Sequence, residues 1–380
     1  MDQDVYAPSG TAAAVTELPP GKTRAMIPRL IASIVIGVSL YLVLRELGLE
    51  FVPSADDLAQ LDPLSVCAFA ALWLVATFLR VFRFVHLLRP IQPDVSPLRT
   101  VGVGLLGFAA LFAPMRMGEV ARPLLVARDK KISFVQAAGT VVAERIVDGL
   151  MLTTLLMVGF WLAPPLSPLP TGLGATKLPL FLVPPAAQLA FLIFVSAFVA
   201  MALFYFWRSL AHRVVFSVVG AVSKPLATIV TSQVERVSDS LQFLISRRHG
   251  LRFLRDTTGY WLLSACAFVV LLRGAGAPAS FSQACAIMGV LGLSTTLPGP
   301  PGFLGTYQFG ASCGIALYFP QLTAAAALFT FVSYCAQLVT ALLSLLLGLW
   351  LMSVTKPADD QLPERDHGLL SAAPPPSSAR

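Results

Sequence analysis

Uncharged apolar runs of 15 or more residues recur along this chain, and they limit what it can fold into. Residues 30–44, 180–207 and 322–354 are three of them. A helix needs about 20 apolar residues to cross a hydrocarbon core of about 30 Å, so the pattern predicts a polytopic helical membrane protein. A transmembrane barrel would alternate apolar and polar positions, and that alternation is absent. Composition agrees: 12% of residues are charged, against about a quarter in soluble domains. The net charge of +7 would suit nucleic acid. The basic residues, however, flank apolar runs, where topology and anionic headgroups account for them, so no nucleic-acid partner is expected. Cys67, Cys266, Cys285, Cys313 and Cys335 all lie in apolar stretches without a CxxC or Cys/His cluster. They read as small hydrophobes, and neither a metal site nor a cofactor is expected.

In order along the chain, residues 1–25 form a leader expected to be disordered and cytoplasmic, residues 26–355 a transmembrane domain, and residues 356–380 a disordered tail. The first span, about 30–44, is read as retained rather than cleaved. The loop 46–62 holds five acidic residues and no lysine or arginine, whereas Arg80, Arg83, His86, Arg89 and Arg99 close the second span. The positive-inside rule then puts the N-terminus in the cytoplasm and this loop outside, in a multi-pass protein of the cell (inner) membrane. Residues 134–163 read as one helix stopped by Pro164-Pro165, and the Pro/Gly-rich loop 164–179 as an outer connection. Basic residues return over 208–256, where apolar positions recur at helical spacing. An amphipathic cytoplasmic segment is expected there, lying on the membrane or docked on the bundle end.

Two apolar segments are broken by proline and glycine, about residues 101–118 and 285–310. Both flanks of the first are basic, which favours a re-entrant hairpin over a full crossing. The expected fold class is therefore an all-α polytopic transmembrane bundle with two broken, re-entrant segments. They echo one another, with Pro114 and Gly118 in the first and Pro298 and Gly302 in the second. Paired interrupted segments in two halves of a transporter point to its binding site, because broken helices expose backbone polar groups.

Charge within the apolar region is a functional-site hypothesis by default. Arg116, Glu119 and Arg122 follow the first break, and a helix starting there offers free N–H groups and a positive dipole end to a phosphate. The alternative is ordinary positive-inside arginines. On the next helix Glu144 and Asp148 share a face, and Arg145 can pair with Asp148 three residues on. These three either help to build a headgroup cavity or form a self-neutralising set. Arg80, Arg83 and His86 read as snorkelling anchors, with Arg83 the choice if one of them faces the cavity.

The motifs P-x-R-x-G-E-x-x-R (Pro114 to Arg122), E-R-x-x-D (Glu144, Arg145, Asp148) and PGPPGFLGTYQ (Pro298 to Gln308, with Gly302 and Gly305) occur in this order. Together they resemble the transmembrane region of the lysylphosphatidylglycerol synthase family, a flippase-like family of bacterial and archaeal membrane proteins. The resemblance implies translocation of a polar-headed lipid, a phospholipid or an isoprenoid- or hopanoid-type lipid, in envelope assembly. Its partners would be membrane lipids and envelope lipid-biosynthesis enzymes. In the namesake enzymes a separate soluble domain makes the aminoacyl lipid; no counterpart is expected here, so synthase activity is not carried over. The P-loop pattern G-x-x-x-x-G-K-[ST] is also absent, and no enzyme activity is expected. Relatives often carry a glutamate where this chain has Gln308. A lipid-linked transferase using Glu119, Glu144 and Asp148, or a non-transporting scaffold, are the alternatives.

Overall fold

A computed structural model describes residues 35, 39, 42, 46, 52–113, 117–128, 132–207, 240–241, 246–297 and 301–355. The expectations for the leader, most of the first span, Pro114, Arg116, Pro298, most of 208–246 and the tail lie outside these residues. The described chain is helical apart from one two-stranded hairpin, β1 (Gly172–Leu173) with β2 (Thr176–Lys177).

After a short helix, α1 (Ala55–Gln60), come α2 (Pro63–Phe82) and α3 (Phe84–Leu88), with Arg83 at their junction. The Asp62 carboxylate starts α2 by accepting the N–H groups of Leu64 and Ser65, and Pro63 occupies the first turn, where its missing N–H costs nothing. Next come α4 (Pro97–Ala110) and α5 (Gly118–Ala127), then the long α6 (Phe134–Leu162). Ser133 and Gln136 close a capping box at the start of α6. The loop carrying β1 and β2 leads to α7 (Val183–Phe206). The second half holds α8 (Arg247–Gly274), α9 (Phe281–Thr296), α10 (Thr306–Ala316) and α11 (Thr323–Val354).

Among the described residues, four helical stretches, Pro63–Leu88, Leu180–Phe206, Arg247–Gly274 and Thr323–Val354, are long and apolar enough to cross a membrane. Their outer faces stay apolar: Leu342, Leu346 and Trp350 on α11 and Leu189, Leu192 and Ile193 on α7 are exposed. Lipid is the solvent such faces suit. The start of α8 corrects one expectation. Residues 247–256 are not part of a separate surface segment but the first turns of a crossing-length helix. Their charges cluster at one end, so they do not interrupt the apolar stretch behind them.

The halves are arranged alike. Each runs from a long helix into a hairpin of two short helices and out along a second long helix: α2, α4/α5, α6 and then α8, α9/α10, α11. The first helices of the two halves pack antiparallel, Asp62 N–H donating to Gly274 C=O at one end and Arg83 reaching Thr257 at the other. Each hairpin leans on the long helix of the other half. Gly102 of α4 lies against Leu351 and Gly348 of α11, while Gly289 and Gly292 of α9 lie against Leu156 and Leu152 of α6.

Both hairpins return to the end they came from. The first starts where α3 ends, with Arg99 donating to the Thr355 carbonyl, and α6 starts at the same end, its Val141 in one apolar cluster with Phe84 and Leu88. The second starts beside the end of α6, where Gly159 touches Ser282, and comes back there, with Tyr318 Oη donating to the Ala163 carbonyl. At 14 and 16 residues, α4 and α9 reach only about 21 and 24 Å. They enter from opposite ends and their tips meet: Gly302 N–H donates to Phe112 C=O at 2.9 Å, and the rings of Phe112 and Phe303 lie 5.3 Å apart, edge to face.

Local sequence explains the turns. A Cβ at Gly118 would collide with the carbonyl of Gly107, so only glycine lets α5 fold back this closely on α4. In the second hairpin Gly302 and Gly305 take φ of +70° and +83°, the left-handed region that glycine enters freely. Gln308 Oε1 then accepts the Gly305 N–H at 2.7 Å and caps α10.

Candidate functional site

Four charged side chains lie at the base of the first hairpin. Arg83, fully buried, donates twice to Asp148, at 2.7 and 2.6 Å, once to Glu144 at 2.9 Å and once to Thr257 at 3.1 Å. The other oxygen of Glu144 lies 3.0 Å from Arg122, whose guanidinium stacks 4.2 Å over the Phe84 ring. Trp261 Nε1–H adds a bond to Asp148 at 3.3 Å. Two cations face two carboxylates, so the set is neutral. It ties α2, α5, α6 and α8 together at a depth where one unpaired charge would cost several kcal/mol.

The helix positions explain which residues meet. Glu144 and Asp148 are one turn apart on α6, so both point at the α2–α3 junction, as their spacing predicts. The pairing within helices expected from sequence gives way to pairing between them. Asp148 takes Arg83 rather than Arg145, and Arg122 takes Glu144. Arg145 and Glu119 are left facing each other at 3.8 Å, too far for a hydrogen bond, with side chains 31% and 42% exposed.

Beside this set, between the hairpins, is a cavity of about 420 Å³. Arg80, Glu119, Arg145 and Asp148 are its charged lining; Trp73, Phe108, Phe112, Tyr260, Trp261 and Phe303 supply aromatic walls; Ser264, Thr295, Thr296 and Gln337 supply polar contacts. Asp148 is matched by Arg83 behind the wall, so Arg80 and Arg145 against Glu119 leave one positive charge in excess. Both hairpins contribute, through Phe108, Phe112 and Glu119 on one side and Thr295, Thr296 and Phe303 on the other.

Three expectations change on these facts. Arg83 is a buried structural cation, and of Arg80, Arg83 and His86 it is Arg80 that faces the cavity. His86 lies instead 3.3 Å from Asp256, away from the cavity. The expected phosphate cradle at the start of α5 is also altered, because the first turn is pressed onto α4 and Arg122 is taken up by Glu144. Gln308 is buried and committed to capping α10, a task a neutral amide performs as well as a carboxylate. Sequence reasoning also missed the aromatic lining, whose named residues come from five separate helices and turns and leave no local pattern.

A helical bundle with membrane-crossing helices and two opposed hairpins defines a polytopic integral membrane protein. The family model for the lysylphosphatidylglycerol synthase TM region matches residues 29–351, and the chain belongs to that family. It is thus an integral membrane protein of lipid metabolism. No curated protein matches the chain, and no solved structure does.

Proposed function

We propose that the protein is a lipid translocator of the cell inner membrane that takes an anionic headgroup into the cavity between its hairpins. The observation that carries this reading is the cavity itself. It has one positive charge in excess and a few polar groups within largely aromatic walls, and two hairpins from opposite ends of the bundle line it and touch through Phe112, Gly302 and Phe303. The acyl chains would stay in lipid while the headgroup passes, and parting of the tips would move access from one end to the other. The end bearing Arg89, Arg99, Arg247 and Arg248 would face the cytoplasm, along with the N-terminus. Nothing in this cycle needs bond-making, so the reading is of a transporter and not an enzyme.

The test is reconstitution of the purified protein into liposomes containing labelled phosphatidylglycerol, with leaflet exposure followed by dithionite quenching. Transfer faster than in empty vesicles is expected. No acceleration, with anionic phospholipids and isoprenoid-linked phosphates alike, would remove the transport reading. Incorporation of labelled headgroup into lipid by the protein alone would favour a transferase instead.

A further inference from the structure

The charged residues near the cavity divide into those already used by the protein and those left over. Arg83 and Arg122 are consumed by Glu144 and Asp148, and Arg145 shares Glu119 at long range. Arg80 differs from all of them. It lines the cavity, and among the described residues neither a carboxylate nor any other acceptor bonds its guanidinium. Its contacts are instead the faces of two rings, Phe108 of α4 at 5.1 Å and Tyr260 of α8 at 5.5 Å. Ring faces hold a guanidinium by cation–π attraction without using its in-plane N–H donors. The arginine is therefore fixed in place with its hydrogen-bonding capacity unspent, half-buried, in a cavity with one positive charge to spare.

We infer that Arg80 is the anion-recognising residue of this cavity, a planar fork for the phosphate oxygens of a lipid headgroup, with Arg145 as the second cation. This rests on the cavity being a lipid-headgroup site, as proposed above, and adds to it the residue and the chemistry. Two parallel N–H···O bonds from a guanidinium to a phosphate match in geometry, whereas a lysine offers a point charge. A phosphate is favoured over an uncharged headgroup because an unpaired arginine gains most from a partner carrying full negative charge, and a zwitterionic phosphate is disfavoured because its own cation meets the cavity's surplus positive charge. The aromatic rings that hold Arg80 also connect recognition to motion. Phe108 is one turn from Phe112, the residue that meets the second hairpin, so a ligand that shifts Arg80 acts on the hairpin that carries the closing contact.

The experiment uses the full chain in nanodiscs of neutral lipid and reads tryptophan fluorescence, since Trp73 and Trp261 line the cavity. Three probes are titrated: dihexanoylphosphatidylglycerol, dihexanoylphosphatidylcholine and sodium phosphate. Wild type is expected to respond to phosphatidylglycerol at lower concentration than to phosphatidylcholine. R80Q should weaken the phosphatidylglycerol response by about tenfold to a hundredfold, and R80K by less, with melting temperatures within a few degrees of wild type because no ion pair is broken. An R80Q protein that is folded and responds as wild type would overturn the inference, as would a wild type indifferent to all three probes. If R80Q does not fold, R80K decides: an undiminished preference for phosphatidylglycerol over phosphatidylcholine with unchanged affinity counts against the fork. A response to sodium phosphate alone would keep Arg80 as a phosphate fork and overturn the lipid reading. Binding of phosphatidylglycerol without liposome translocation would keep the inference and remove transport.

Discussion

The two hairpins have the same construction and opposite chemistry. The first is held at its base by charge: Arg122 of α5 reaches Glu144 of α6, and Arg83 bridges Glu144 and Asp148. The second is held by close neutral packing. Nearly all of α10 is buried, Tyr307 Oη bonds Ser333 Oγ at 2.9 Å, and Ser294 Oγ bonds the Thr306 carbonyl at 2.9 Å. Around it lies an apolar cluster drawn from α6, α8, α9, α10 and α11. By contrast α5 leaves Met117, Val120 and Leu124 exposed. An interdigitated hairpin has one good arrangement, whereas the first hairpin presents Glu119 to the cavity only loosely paired with Arg145, at 3.8 Å, a contact that an arriving anion can displace. The difference points to the second hairpin as the fixed wall of the cavity and the first as the responsive one.

The sharpest way to break this contrast is at Arg83. Arg83→Ala leaves two carboxylates buried with only Arg122 between them, a loss of about 3–5 kcal/mol. Little folded protein should survive detergent extraction, as seen by size-exclusion chromatography. Arg83→Met combined with Asp148→Asn removes one charge of each sign and leaves the Arg122–Glu144 pair intact. It should recover much of the folded yield. Failure of that rescue would mean that the charges do more than neutralise one another.

Glycine substitutions come next. In Gly118→Ala the new methyl meets backbone, the Gly107 carbonyl and Leu111 N, neither of which can rotate away. In Gly310→Ala the Cβ meets the Ser294 side chain and Leu291 Cα. Overpacking costs about 1–3 kcal/mol, and both variants should melt earlier than wild type in nanodiscs. The comparison predicts different consequences. Gly118→Ala should also impair phosphatidylglycerol binding, because the first hairpin carries Phe108 and Glu119. Gly310→Ala should lower the melting temperature with binding retained. Equal effects on binding would refute the division into fixed and responsive hairpins.

The smallest effect is expected at Tyr307→Phe, which removes one neutral hydrogen bond while keeping the packed ring. Ser333 Oγ retains the Phe329 carbonyl at 2.6 Å as a partner for its proton, so the cost should be about 1 kcal/mol or less. A fall in melting temperature comparable with that of Arg83→Ala would show that the neutral hairpin is not held chiefly by apolar packing.

Much of this arrangement could be read before any coordinates. The apolar runs gave the long helices, the stop at Pro164-Pro165 agreed with the end of α6, and the four-residue spacing of Glu144 and Asp148 put both on one face. The echo between Gly107–Gly118 and Gly292–Gly302 did correspond to a pair of hairpins. What could not be read was partner choice. Arg145 is three residues from Asp148, yet Arg83, 65 positions away, takes that carboxylate. Spacing along a helix says which side chains share a face and nothing about what stands opposite. Arg80 was missed for the same reason, since a cation beside apolar sequence looks like any membrane-edge anchor until its neighbours are known.

Sequence alone therefore determined the solvent, most of the long helices and the two breaks, because burial in lipid is a property of consecutive residues and proline and glycine act locally. Only the tertiary structure decided that the hairpins enter from opposite ends, that they exchange long-helix partners and meet at Phe112 and Gly302, and that Arg80, among the described residues lining the cavity, faces it without an ion-pair partner. Those outcomes depend on which helices are antiparallel neighbours, and charge pairing at bilayer depth is settled by whatever that packing brings within 3 Å.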